Sequence, residues 1–176
     1  MEAGDIFCVR NAGWASDLVT WGSGGEISHV GLVICTEPVP LVMEAVHEVR
    51  TVPFRLAVQA HPLVYLMKAL TLTQEQRRTI VETACLFTCQ NYGWLTAAMR
   101  GMNALLDSRM LDEMIRWSDA PLCDWFVGAT YRAVGLDFGK PKEKIWPQDI
   151  LNFAKAHPKL YQVLKLRDDN AFPTPA

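Results

Sequence analysis

The chain has 176 residues, half of them hydrophobic, and 17 basic against 19 acidic side chains give a formal charge of −2. That length suits one domain with a sizeable core, and the apolar content excludes a disordered chain. Near-neutral charge removes the footprint expected of a nucleic-acid binder or a polybasic membrane surface.

Five cysteines, an odd number without framework spacing, indicate a reduced compartment during folding. Met1-Glu2-Ala3-Gly4-Asp5 has neither a basic n-region nor an apolar h-region, so no signal peptide is expected and the chain is cytoplasmic as synthesised. No apolar run approaches the roughly 18–20 residues that span a bilayer, so no integral membrane segment is expected.

In chain order, Asp5 to Arg10 reads as a strand introduced by Gly4. Residues 14–21 form a short helix on the spacing of Trp14, Leu18 and Trp21, and Gly22 to Gly25 open a turn. Ile27 to Cys35 is β-branched and apolar, a central strand. Alternation puts Ser28, Val30, Leu32 and Ile34 on one face and His29, Gly31, Val33 and Cys35 on the other. Pro38 and Pro40 break the strand. Leu41 to Val46 resumes it, with Val42, Glu44 and Val46 on one face. The two runs form a hairpin able to set Glu44 beside His29. Runs near Val49–Phe54 and Leu63–Leu70 extend the sheet.

A helix starts after Thr73, since Thr73-Gln74-Glu75-Gln76 has the form of a capping box, and its buried side continues through Ile80, Ala84, Phe87 and Tyr92. Helical spacing resumes over 94–117, so a helical segment occupies about 74–117. After Pro121, Phe126, Val127, Thr130, Tyr131 and Val134 recur at helical spacing and Gly135 supplies a left-handed stop. Ile145 to Ile150 leads into a short helix, and Lys159 to Leu166 forms a last strand. With no repeat or linker, residues 1–176 read as a single α+β domain.

Cys123 falls in the first turn of its helix, where unpaired N–H groups and the helix dipole favour a thiolate and could hold a negative oxygen beside it. The competing reading is a small buried packer, the commonest fate of a free cysteine. His29, inside an apolar strand, is either a hydrogen-bonded core residue or a base, and Gly31 on its own face leaves room for another group. Glu44 is either a solvent-facing strand carboxylate or the group that orients the imidazole. A Cys–His pair with an orienting polar group is the minimum apparatus for thiol-based acyl transfer. His61 and His157, each before a proline, read as surface residues, and His47 alternates away from Glu44. Cys8 and Cys35 read as core, and Cys85 and Cys89 as packed thiols, because no His or Cys pair completes a metal set. No metal and no cofactor are expected.

Gly4-Asp5-Ile6, then Ser28-His29-Val30-Gly31-Leu32-Val33-Ile34, Met43-Glu44-Ala45 and finally Leu122 to Asp137 around Cys123 follow one another in the order seen in permuted NlpC-type papain-like proteins. The chain resembles their YiiX-like branch, in which the His strand precedes the Cys helix. The resemblance implies a circularly permuted papain-like fold, a small antiparallel sheet packed against helices. It also implies Cys123 as nucleophile, His29 as base, Glu44 as third polar residue and the Cys123 backbone N–H in the oxyanion hole. Tyr92 would line the site, with Ser28 and Asp124 beside the reacting groups. Asp124 departs from the family, where a small residue follows the cysteine, and Trp125 and Phe126 are bulkier than the pattern.

The expected activity is a cysteine hydrolase acting on an amide or ester. Its partners would be small peptides, among them peptidoglycan fragments, or acylated small molecules. A wall-directed role would need delivery by phage or secretion machinery. Two other readings stand beside it. One is a lipid-directed thiol acyltransferase or lipid hydrolase; the other is a catalytically inactive papain-like binding or structural module.

Overall fold

The computed structural model describes residues 1–90, 122–141 and 144–168. Six strands, β1 (Ile6–Val9), β2 (His29–Cys35), β3 (Leu41–Ala45), β4 (Val49–Pro53), β5 (Leu63–Ala69) and β6 (Tyr161–Asp168), form one sheet in the order β4-β3-β2-β1-β5-β6. Each neighbouring pair runs antiparallel, giving a mixed α+β fold around an open sheet. The strand runs at Asp5–Arg10, Ile27–Cys35, Leu41–Val46 and Leu63–Leu70 all fall on these strands.

Period-two alternation sorts the side chains as the sequence requires. Ile6, Cys8, Val30, Leu32, Met43 and Met67 face the larger core. There they meet Ile80 of α3 (Gln74–Cys85), Phe126, Val127 and Tyr131 of α4 (Cys123–Arg132), and Ile150 and Leu151 of α5 (Pro147–Ala156). Phe7, Val9, Val33, Val42, Val64 and Leu66 face the other way, onto Ala57 of the short helix α2 (Phe54–Val58). The first helix of the chain, α1 (Trp14–Ser23), ends on left-handed Gly24 at φ 61°.

Two expectations are corrected here. Residue Phe54 does not continue a strand: β4 stops at Pro53, which has no N–H to offer the ladder, and α2 begins. The helix opened by the Thr73–Gln76 capping box ends at Cys85, short of Phe87, in a turn over 86–89 where Cys89 adopts φ 63°. That turn is tied to β4, since Cys89 N–H donates to Val49 O at 3.0 Å and Val49 N–H to Gln90 O at 2.9 Å. Consequently Cys85 and Cys89 are exposed, not packed. The remainder of the expected helical segment and Tyr92 lie outside the described residues.

The start of the chain is anchored by buried charge. Asp5 Oδ1 accepts from Ala69 N–H at 3.1 Å and from Arg77 Nη1 at 3.3 Å, while Arg77 also donates to Ala3 O at 2.6 Å and Ala69 O at 2.5 Å. Tyr131 of α4 donates its hydroxyl to Gly4 O at 2.6 Å. These bonds fix α3 and α4 against the sheet. Among the described residues no helix is long and apolar enough to cross a membrane.

Candidate active site

The loop that delivers His29 to β2 is held on both sides. Gln148 Oε1, buried on α5, accepts from Glu26 N–H at 2.8 Å and Ile27 N–H at 3.2 Å. A Cβ at Gly25 would lie 2.3 Å from Gln148 Cγ and Oε1, so any larger residue would displace the amide that holds this loop. Ser28 Oγ accepts from Asn11 N–H at 2.9 Å and from the Ser16 hydroxyl at 2.6 Å. Ser28 thus braces the loop before α1, one residue from the imidazole.

His29 is 5% exposed and its Nε2–H donates to Glu44 Oε2 at 3.0 Å. The expected hairpin is present: Glu44 lies directly opposite Gly31, which makes His29 its diagonal neighbour on the same face. The space beside Gly31 is taken by Phe7, whose Cε1 would lie 2.3 Å from a Cβ there. The same ring meets the imidazole edge to face, with centroids 6.2 Å apart. The room left by Gly31 therefore seats an aromatic wall for His29.

Glu44 is itself 3% exposed, and its second oxygen is engaged by β4. Arg50 donates to Oε1 through Nε at 3.1 Å and Nη2 at 2.8 Å, from the position directly across the ladder.

Cys123 is the first residue of α4, after Leu122 in extended conformation, and is 5% exposed. At that position its N–H has no intrahelical acceptor and points out of the helix end. Phe126 N–H closes the first turn onto Leu122 O at 2.8 Å. Asp124 is buried and Oδ1 accepts from Trp125 N–H at 2.6 Å, so it caps the helix from within the first turn. The bulky residues after it have a packing role: Phe87 contacts both Trp125 and Phe126 edge to face, at centroid distances of 5.3 and 5.9 Å.

Electrostatics tie the strand and the helix together. Burial alone would lower the His29 pKa, but the Cys123 charge, a side-chain hydrogen bond with Cys123 and then the Glu44 hydrogen bond and charge outweigh it, raising the value from 6.5 to about 10. With Nε2 on Glu44, Nδ1 is the nitrogen left for the sulfur. Burial pushes the Glu44 carboxyl up, yet the hydrogen bonds and charges of His29 and Arg50 together hold it below its usual 4.5. Burial and the nearby Cys123 charge push the Cys8 thiol well above its ordinary range, which keeps it protonated.

The structure thus brings Cys123, His29 and Glu44 into one buried group, with Ser28 and Asp124 bracing the strand and helix that carry them. Arg50 was missed by the sequence reading, although its signal was there. A β3–β4 hairpin centred on His47 pairs 44 with 50, opposite charges across one ladder. His61 is corrected: it is half-buried, not a surface residue, and its Nδ1 is buried without a hydrogen-bond partner among the described residues. Burial, followed by the charge of His29, lowers its pKa below 6.5. His157 is exposed, as expected. Among the described residues no group of three or more His, Cys, Asp or Glu side chains is arranged to hold a metal ion.

No family model matches the sequence. No curated protein matches it either. Among solved structures, the chain is similar to the metalloprotein yiiX from Escherichia coli O157:H7, with a TM-score of 0.63 and 21% identity over 79% of this chain and 69% of that one. At that identity the likeness is one of fold.

Proposed function

We propose that this protein is a cysteine hydrolase built on a circularly permuted papain-like (NlpC-type) fold, cleaving an amide or ester through Cys123, His29 and Glu44. The observation that carries the reading is the buried imidazole, held by Glu44 at 3.0 Å beside Cys123, whose nearness is the largest influence raising the His29 pKa. An imidazolium beside a thiolate is the resting state of a thiol nucleophile.

In the first half-reaction the Cys123 thiolate adds to the carbonyl carbon, forming the C–S bond and moving charge to oxygen. The Cys123 N–H, at the helix N-terminus, faces that developing charge. The His29 imidazolium then gives its proton to the leaving nitrogen or oxygen as that bond breaks, leaving a thioester. In the second, neutral His29 takes a proton from water, hydroxide adds to the thioester, and the thiolate departs. Glu44 fixes the tautomer and stabilises the positive imidazole throughout.

A solved structure of similar fold is a metalloprotein by name. In this chain Glu44 Oε1 is occupied by the Arg50 guanidinium and Oε2 by His29, so the donor set does not suit a cation. Peptide amides of peptidoglycan fragments and acylated small molecules are the substrate classes to test. Cytoplasmic action and delivery to a cell wall by phage or secretion machinery are the two settings.

The test is exposure of the protein to a panel of muropeptides and acyl esters, followed by intact-mass analysis. An acyl adduct on Cys123 that decays with product release supports the reading. Turnover that survives in Cys123→Ala contradicts it.

A further inference from the structure

The geometry points to Arg50 as a positioning residue for the reaction, a fourth member of the Cys123–His29–Glu44 chain contributed by the outermost strand. The inference rests on the cysteine-hydrolase reading and goes beyond it by assigning the ionisation of the site to β4. Four observations carry it. Arg50 sits directly across the ladder from Glu44, so its reach is set by the sheet and not by a mobile loop. Two of its nitrogens converge on one oxygen, Oε1, leaving Oε2 free to accept from His29. Glu44 is nearly inaccessible, and a buried carboxylate without a cation would keep its proton. Finally, the Arg50 side chain is 47% exposed, so its charge costs little to keep at the sheet edge while acting on a group water cannot reach.

Among the described residues, the charged groups that act on His29 and Glu44 include Arg50 from β4 and Cys123 from α4, with His61 coupled to both from the turn before β5. From β1 the neighbour is Phe7, which does not titrate. Arg50 is the permanent cation among them. After His29 it adds a second hold on the Glu44 carboxyl below its ordinary range, and it leaves one carboxylate oxygen aimed at Nε2.

The experiment follows the rate of Cys123 alkylation by iodoacetamide against pH, mapped by peptide mass, in wild type, Arg50→Met and Arg50→Lys, with thermal melts to establish folding. Arg50→Met should move the acid limb of the profile upward by about half a pH unit or more, since a neighbouring opposite charge shifts a carboxyl by about 1–3 units and half-exposure discounts it. Arg50→Lys should recover most of the shift, because the charge returns while the two-nitrogen grip does not. A folded Arg50→Met protein with the wild-type acid limb overturns the inference while leaving the cysteine-hydrolase reading standing. A wild type with no acid-shifted limb at all overturns both. Should Arg50→Met fail to fold, Arg50→Lys and Arg50→Gln decide the matter by the same criterion: Lys near wild type and Gln shifted supports the role, coincidence of both with wild type overturns it.

Discussion

Glu44 lies directly across the ladder from Gly31, yet its Oε2 takes the hydrogen bond of His29 two residues away, at 3.0 Å. The diagonal is possible because position 31 has no side chain and the Phe7 ring fills the space, standing against one edge of the imidazole. The orientation of the imidazole is thus set by a glycine and an aromatic ring on strands β2 and β1, with the carboxylate supplied by β3.

From that arrangement a substitution at Gly31 should be costly in two ways. A Cβ would lie 2.3 Å from Phe7 Cε1 and 2.9 Å from Met43 O, so Gly31→Ala must displace the ring that stands against His29. Overpacking of this kind costs about 1–3 kcal/mol, and activity should fall with it. Adding Phe7→Leu should recover part of the stability but not the orientation of His29. Denaturant unfolding and turnover, measured on the single and double variants, check both halves.

The charge state of His29 gives a second test. Its pKa is raised to about 10, with Cys123 supplying the largest raising contributions. In wild type the imidazole should stay protonated through neutral pH, and the alkaline limb of kcat/KM should follow its loss near that value. Replacing Cys123 by Ala removes those contributions and leaves burial, which lowers the pKa, against Glu44. The His29 titration in Cys123→Ala should therefore fall well below the wild-type midpoint, as read from its ring proton signals by NMR. An unchanged midpoint would mean that the sulfur does not act on the ring.

Glu44 gives the acid side. Its folded pKa lies below the ordinary 4.5, so its contribution to stability is present above that value and is lost as the pH falls through the folded pKa. Glu44→Gln should abolish that part of the acid dependence while lowering kcat by roughly 100-fold or more through loss of imidazole orientation and charge support. Unfolding curves from pH 3 to 7 and steady-state rates would reveal both effects.

Much of this site was written in the sequence because its parts are local. Alternation in Ile27–Cys35 and Leu41–Val46 gave a hairpin able to set Glu44 beside His29, and the helical spacing after Pro121 put Cys123 at a helix start. What sequence could not supply was register and burial. Arg50 becomes visible only once the hairpin is centred on His47, and His61 looked like a turn residue until the sheet placed it near His29 and Glu44. Cys85 closes the helix on its exposed side and Cys89 lies in the turn beyond it, so both were assigned to a core they do not reach. The wall of Phe7 against Gly31 is a tertiary contact between strands, with no trace in either segment alone.

Far from the site, Arg77 should be a stability residue. It is 6% exposed and donates to the Ala3 and Ala69 carbonyls and to Asp5, at the end of β1 away from His29. Arg77→Met leaves the buried Asp5 carboxylate with backbone N–H donors but no cation and takes a donor from two carbonyls, a loss of about 3–5 kcal/mol. Calorimetry should show Tm lower by roughly 10 °C, while the activity of the folded fraction stays near wild type.

The most direct test of the central claim is the alkylation rate of each cysteine against pH in wild type and in His29→Ala, with peptide mapping. The mapping matters, because Cys85 and Cys89 are exposed and accessible to the reagent. The account predicts that Cys123 reacts fast below pH 7 in wild type and loses that advantage without His29. Equal, ordinary reactivity of Cys123 in the two proteins would contradict the thiolate–imidazolium pair, and the hydrolase reading with it.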